Sequence, residues 1–495
     1  MDGNTDAKLQ KTGIPGLDRI IKGGLPPNRL YLLEGNPGTG KTTLGLQYLR
    51  QGVLDGETSL YVTLSETEEE LRSAASSHGW DLKGIEILDM TSESGRLESD
   101  SRYTVFHPSE IELDETTKAV LREMEVKKPQ RVVFDSLSEL RMMAADPLKF
   151  RRQILALKHY FIRCSCTVIM LDDRTSDSPD RQLESIAHGV ISLDYVPAEY
   201  GRQRHTLRVV KMRGVAFQSG DHDFNIEKGG LVVFPRLTME RRTEDKTGDM
   251  LLSNVENLDR LLGPLHYGTS TIVLGPAGVG KSTLSIMYVV AAAERGERSA
   301  IYIFDEGPQT LYSRTSALGL DLKRYVDEGL VTIRQIQIAE LTPGEFANMV
   351  SEEVEIQNTR LVIIDSVNGY LMATPQMRFL TMQFHELLDY LNRNGVISIM
   401  IVGQYGLVGA MQSPIDMSYL ADSVVLMRYF EAGGSIHQAL SVLKKRAGEH
   451  ERTIREYQIG QGGIQLGEPL KDFRGVLTGV PIFQGSEESL MKPRD

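Results

Sequence analysis

Short apolar runs that end in glycine or an acidic residue recur along the chain, each followed by a polar turn and a stretch long enough for a helix. Leu30 to Leu33 leads into such a turn, and a helix is expected from about Thr42 to Gly52. A strand follows at Ser59 to Leu64, then others at Arg131 to Phe134, Thr167 to Leu171 and Leu207 to Val210. The same series returns as Thr271 to Leu274, Ala300 to Phe304, Arg360 to Ile364, Ser398 to Gly403 and Leu440 to Leu443. Apolar strands alternating with helices predict an α/β fold in which each sheet is mostly parallel, twisted and flanked by helices. Because the series occurs twice, the 495 residues divide into two tandem domains of ordinary size. The boundaries read from the pattern are 1–238, a polar, charged linker at 239–249, a second domain at 250–483 and a tail at 484–495.

Composition narrows the function. A net charge of −12 disfavours a protein whose main task is to hold a nucleic-acid backbone. The longest apolar runs, such as Val396 to Val402, fall far short of a bilayer span, so no membrane partner and a cytoplasmic location are expected. The two cysteines, Cys164 and Cys166, can neither build a disulfide framework nor complete a structural zinc site, and buried packing is expected of them.

The chemistry sits in the turns. Gly35, Asn36, Pro37, Gly38, Thr39, Gly40, Lys41 and Thr42 read G-x-x-x-x-G-K-T, the pattern of a P-loop. Glycines let the backbone curl so that N–H groups point at a phosphate, and the helix that starts there adds its positive end. Lys41 is expected on the β- and γ-phosphates of ATP and Thr42 on Mg²⁺. Gly275, Pro276, Ala277, Gly278, Val279, Gly280, Lys281 and Ser282 repeat the pattern at an offset of 240 residues. Two copies in one strand-loop-helix context make two P-loop NTPase domains the expected architecture.

Acidic residues end the neighbouring strands. Asp135 and Asp365 can share Mg²⁺ with Thr42 and Ser282. Glu66, and the pair Asp305 and Glu306, lie where a carboxylate can polarise a water near the γ-phosphate. In the first half Ser65 and Glu68 also form an S-x-x-E capping box, so a helix start competes with a catalytic role there. Gln404 ends a strand at a point where Asp172 and Asp173 stand in the first half. Lys211 and Arg213, like Lys444 and Arg446, alternate along a strand and so project from one face toward a shared anion. A nucleotide on a neighbouring subunit is one such target, and a lysine-bearing sheet edge is the other reading.

The sequence as a whole resembles the KaiC family of RecA-like ATPases over almost its full length. The likeness rests on G-N-P-G-T-G-K-T, Y-V-T-L-S-E-T, S-H-G-W-D-L and K-M-R-G in the first half, and on G-P-A-G-V-G-K-S, F-D-E, I-D-S, Y-L-A-D-S-V-V-L, L-K-K-R and T-I-R-E-Y in the second. The resemblance implies a homohexamer of two stacked rings with ATP between subunits. It implies slow hydrolysis in the first ring and serine/threonine autophosphorylation in the second, in signalling or circadian-type timing. It further implies ATP contacts at Gly38, Thr39, Gly40, Lys41, Thr42, Leu44, Ser77, Lys211, Met212 and Arg213. The corresponding contacts in the second half are Gly278, Val279, Gly280, Lys281, Ser282, Thr283, Lys444, Lys445 and Arg446. The family's two adjacent phosphoacceptors fall at Ser418 and Tyr419, of which only Ser418 keeps an aliphatic hydroxyl. Its first-half Glu-Glu pair is Ser65-Glu66 here, and its second-half pair is Asp305-Glu306. A loop-forming tail at Phe473 to Phe483 offers a place for a regulatory protein. Two other readings stand beside this one: a RecA- or DnaB-type motor on nucleic acid, which the acidic balance does not support, and a nucleotide-gated scaffold with little turnover.

Overall fold

The computed structural model describes residues 9–91, 108–144, 146–174, 181–197, 201–237, 249–337, 339–372, 377–405, 418–432, 434–476 and 482–483. Most of the expected linker, 239–248, and the tail from 484 lie outside these residues. The chain divides into two units, Met1–Arg236 and Leu237–Asp495.

The first unit is built on a nine-stranded sheet. Its strands are β1 (Leu30–Gly35), β2 (Ser59–Thr63), β3 (Ile85–Asp89), β4 (Arg131–Asp135), β5 (Thr167–Asp173), β6 (Gly189–Val196), β7 (Arg204–Met212), β8 (Asp221–Glu227) and β9 (Gly230–Phe234). They lie in the order β3-β2-β4-β5-β1-β6-β7-β8-β9. The pairings from β3 through β6 are parallel, and β6 to β9 form an antiparallel meander. In β1, β2 and β4 every residue is buried, as expected of parallel strands covered on both faces. Alternation divides β1 between two cores: Tyr31 and Leu33 pack with Leu44, Tyr48 and Leu71, whereas Leu30 and Leu32 pack with Phe134, Leu157 and Val168.

The second unit repeats this plan. A two-stranded ribbon, β10 (Met250–Leu251) with β11 (Leu265–His266), precedes β12 (Ser270–Gly275), β13 (Ser299–Ile303), β14 (Val331–Gln335), β15 (Leu361–Asp365), β16 (Ile397–Gly403), β17 (Ser423–Ala432), β18 (Ser435–Lys445), β19 (Arg455–Gly460) and β20 (Gly463–Pro469). The order β14-β13-β15-β16-β12-β17-β18-β19-β20 matches the first sheet position by position. Phe473–Arg474 and Ile482–Phe483 pair as β21 and β22.

In each sheet the first strand lies between strands reached by connections on opposite sides, which opens a crevice at its carboxyl end. Both glycine-rich turns emerge there. No described helix is long and apolar enough to cross a membrane. The expected burial holds for one cysteine of the two: Cys164 caps the helix Pro147–Arg163 and is exposed, Ser165 turns at φ 54°, and Cys166 is buried. Both thiols are free.

Candidate active sites

Each glycine-rich turn ends in a left-handed glycine that begins a helix. Gly40 (φ 90°) precedes the helix Lys41–Leu54, and Gly280 (φ 97°) precedes Lys281–Glu294. A Cβ on Gly40 would meet Ile226 Cδ1 at 2.7 Å, and one on Gly280 would meet Ile459 Cδ1 at 2.6 Å, so both backbone angle and space require glycine. Thr39 is fully buried and donates to the Asn36 carbonyl at 2.8 Å, bracing the first turn from within. Val279 braces the second from the apolar core.

Beyond the turns, strand ends bring in the carboxylates. In the second unit Ser282 Oγ donates to Asp365 Oδ2 at 2.5 Å, and Ser366 Oγ donates to Asp305 Oδ2 at 2.5 Å. Glu306 pairs with Arg314 at 2.8 Å. Burial pushes the Asp365 carboxyl above its ordinary range, with Glu306 adding to the shift, and burial pulls the Lys281 ammonium down. Lys281 Nζ donates to the Pro276 carbonyl at 2.6 Å.

The first unit differs in detail. Asp135 Oδ2 accepts from Tyr61 at 2.6 Å and stands 3.4 Å from Thr42 Oγ1. Ser65 is exposed, and the buried hydroxyl of Ser136, counterpart of Ser366, has no hydrogen-bond partner among the described residues. Burial, followed by the charges of Asp135, Glu70 and Asp173, raises the Glu66 carboxyl. Asp135 is raised chiefly by burial, and Glu139 by burial and then by Asp173 and Asp135. Lys41 Nζ is held by the Gly35 carbonyl (3.0 Å), the Asn36 carbonyl (2.9 Å) and the Asp173 carboxylate (2.7 Å).

Two expectations are corrected. The capping box uses Thr67 and Glu70, not Ser65 and Glu68: Thr67 N–H donates to Glu70 Oε2 at 2.8 Å, and Glu70 N–H donates to Thr67 Oγ1 at 3.3 Å. The reason lies one turn earlier, where Thr63 Oγ1 bonds both the N–H and the carbonyl of Glu66 and holds Ser65 and Glu66 in the turn before the helix. The counterpart of Gln404 is Arg174, since each donates its N–H to the last glycine of the first strand, Gly275 and Gly35, at 3.1 Å. Asp173 therefore corresponds to Gly403.

The basic pairs do share a face. Lys211 Nζ donates to the Glu184 (2.5 Å) and Ala187 (2.8 Å) carbonyls, and Arg213 to that of Ser185 (3.2 Å). In the second unit Lys444 donates to the Ser418 (2.9 Å) and Ala421 (2.7 Å) carbonyls, while Arg446 reaches Tyr419 O and Asp422. Each pair thus clamps the segment before β6 or β17, the end of the helix Arg181–Ile186 in the first unit and a turn that carries Ser418 in the second. Met212 and Lys445 point away. Met212 is in the core, and Lys445 Nζ donates to the Leu262 (2.5 Å) and Pro264 (2.9 Å) carbonyls. Leu44 and Thr283 are buried, and Ser77 donates to the Ala74 carbonyl at 2.7 Å. Sequence reasoning gave no role to Tyr61, Ser366 or Arg314 and missed the Asp173–Lys41 contact: Tyr61 and Ser366 stand inside quoted motifs, but what each side chain touches is set by which strand ends the sheet brings together.

Comparison with known proteins agrees with this geometry. The family described as "ATPase: KaiC" matches twice, over residues 10–238 and 251–471. The chain is 27% identical to the circadian clock protein KaiC3 of Synechocystis sp., covering 99% of this chain and 97% of that one. It is 26% identical to the circadian clock oscillator protein KaiC of Parathermosynechococcus lividus, over 95% and 88% of the two chains. It is also 26% identical to the circadian clock protein KaiC2 of Synechocystis sp., over 98% and 86%.

Proposed function

The chain belongs to the KaiC family of ATPases, and from that premise we propose that it binds and hydrolyses ATP at both turns, phosphorylates itself on Ser418, and works as a hexameric ring in signalling or circadian-type timing. What carries the reading is the duplication of a whole constellation: a lysine at a helix head, a hydroxyl beside a strand-end carboxylate, and a further carboxylate one strand away.

Thr42 with Asp135, and Ser282 with Asp365, offer the paired oxygens that would hold Mg²⁺, the rest of its shell coming from phosphate and water. That ion would offset charge on the phosphates. Lys41 and Lys281 orient the phosphate chain and neutralise its β- and γ-oxygens. In the first unit Glu66, whose carboxyl burial raises above its ordinary range, is the base that takes a proton from water.

In the second unit the nucleophile is the Ser418 hydroxyl, presented to the nucleotide of a neighbouring copy. Its proton passes to the Glu306 carboxylate at that site, with Asp305 beside it, the Ser418 oxygen bonds to the γ-phosphorus, and the bond to the β,γ-bridging oxygen breaks to release ADP. Ser366 and Arg314 hold those two carboxylates in place. Lys444 and Arg446 fix the acceptor turn by its carbonyls, and a regulatory protein at the tail would act on that turn.

Phosphopeptide mass spectrometry after incubation with Mg·ATP tests this, with released ADP counted in the same samples. Phosphate on Ser418 is expected in the parent and absent from Ser418→Ala and Glu306→Gln. ADP release without phosphate would leave an ATPase and remove the kinase.

A further inference from the structure

Lys41 and Lys281 hold the same place in the repeat, yet their surroundings differ by one side chain. Lys41 Nζ spends its three donors on the Gly35 and Asn36 carbonyls and on Asp173 Oδ1 at 2.7 Å. The register that pairs Gly35 with Asp173 pairs Gly275 with Gly403, so Lys281 faces a position with no side chain. Space does not forbid one: a Cβ on Gly403 would find its nearest neighbours, atoms of Asn368, at 3.6 Å, and the backbone there is not left-handed.

A second difference has the same sign. Glu139 corresponds to Gly369, four residues beyond Asp135 and Asp365 respectively, and its carboxyl is raised by burial first and then by the charges of Asp173 and Asp135. The Asp173 carboxylate stands on the lysine that must receive the γ-phosphate, with further negative charge around it. Opposed like charges and a shared cation make the carboxylate and the γ-phosphate competitors.

We propose that Asp173 is a specificity-determining latch: it occupies the Lys41 ammonium in place of the γ-phosphate, so that the first site favours nucleoside diphosphate over triphosphate. The second site, with glycine at this point, lacks the latch. A diphosphate meets the contested cation only through its β-phosphate, without the γ-oxygens that the Asp173 carboxylate displaces, and keeps its contacts with the backbone N–H groups of the turn. A triphosphate has to displace the carboxylate, and that displacement is subtracted from its affinity. This inference rests on the reading of the first turn as a nucleotide site.

The test is equilibrium titration of the full chain carrying Lys281→Ala, with Mg²⁺ and fluorescent ADP or a fluorescent non-hydrolysable ATP analogue. Asp173→Asn and Asp173→Gly are expected to tighten the triphosphate about tenfold and to change the diphosphate less than about threefold. Equal changes for both nucleotides, or none, overturn the latch. A chain that binds neither nucleotide at the first turn, with or without Asp173, overturns the nucleotide-site reading itself. Turnover separates a latch from a base: a fall of about a hundredfold in kcat at unchanged affinity in Asp173→Asn would make Asp173 a proton acceptor and sink the proposal. The reciprocal change, Gly403→Asp in a chain carrying Lys41→Ala, is expected to weaken the triphosphate at the second site and spare the diphosphate.

Discussion

At the scale of single residues, Lys445 shows how a strand separates neighbours that a motif places together. L-K-K-R reads as one basic cluster, but alternation sends Lys444 and Arg446 to the turn holding Ser418 and Lys445 to the carbonyls of Leu262 and Pro264. There burial lowers its ammonium to about 8. Between that value and the ordinary lysine range the unfolded chain carries the proton and the folded chain does not. Stability from this group therefore rises as pH rises through the window, and below pH 8 both states are protonated and the slope vanishes. Urea midpoints of the second unit's transition at pH 7.5 and 9.5 check it. The parent is expected to gain more, or lose less, over that interval than Lys445→Met; parallel behaviour would place the ammonium in an ordinary environment.

At the scale of elements, the start of the helix Glu68–Ser77 turns on two overlapping signatures, S-x-x-E at Ser65 and T-x-x-E at Thr67, which sequence cannot rank. The Thr63 hydroxyl decides between them by tying up Glu66, and Thr67 becomes the extended residue at φ −73° and ψ 158°. Thr67→Ala is therefore expected to destabilise the first unit by about 1 kcal/mol, and Ser65→Ala by much less. Equal effects in chemical unfolding would return the cap to Ser65. Strands and glycine-rich turns were legible because their signals are local: apolar runs such as Leu30 to Leu33, and glycines that only a left-handed turn requires. The contacts of Asp135 with Tyr61 and of Lys41 with Asp173 were not legible. They join residues 74 and 132 positions apart, and only the sheet order brings them together.

At the scale of the whole molecule, duplication has produced two sites of one plan and different electrostatics. The first unit lacks a carboxylate at Ser65 and gains two at Glu139 and Asp173; the second carries Asp305 and Glu306, with glycines at the other two points. Each unit also buries its own apolar clusters, drawn from its own strands and helices. Two self-sufficient cores predict two cooperative unfolding transitions, and a ligand stabilises only the core to which it is bound. A non-hydrolysable ATP analogue at a hundredfold excess over its dissociation constant adds about 2.7 kcal/mol to the unit that holds it. In scanning calorimetry, Lys41→Ala is expected to remove the shift of one transition and Lys281→Ala that of the other. Loss of both shifts from either substitution would mean that occupancy of one site controls binding at its counterpart, and the two units would then have to be treated as one coupled nucleotide switch rather than as two sites on a common chain.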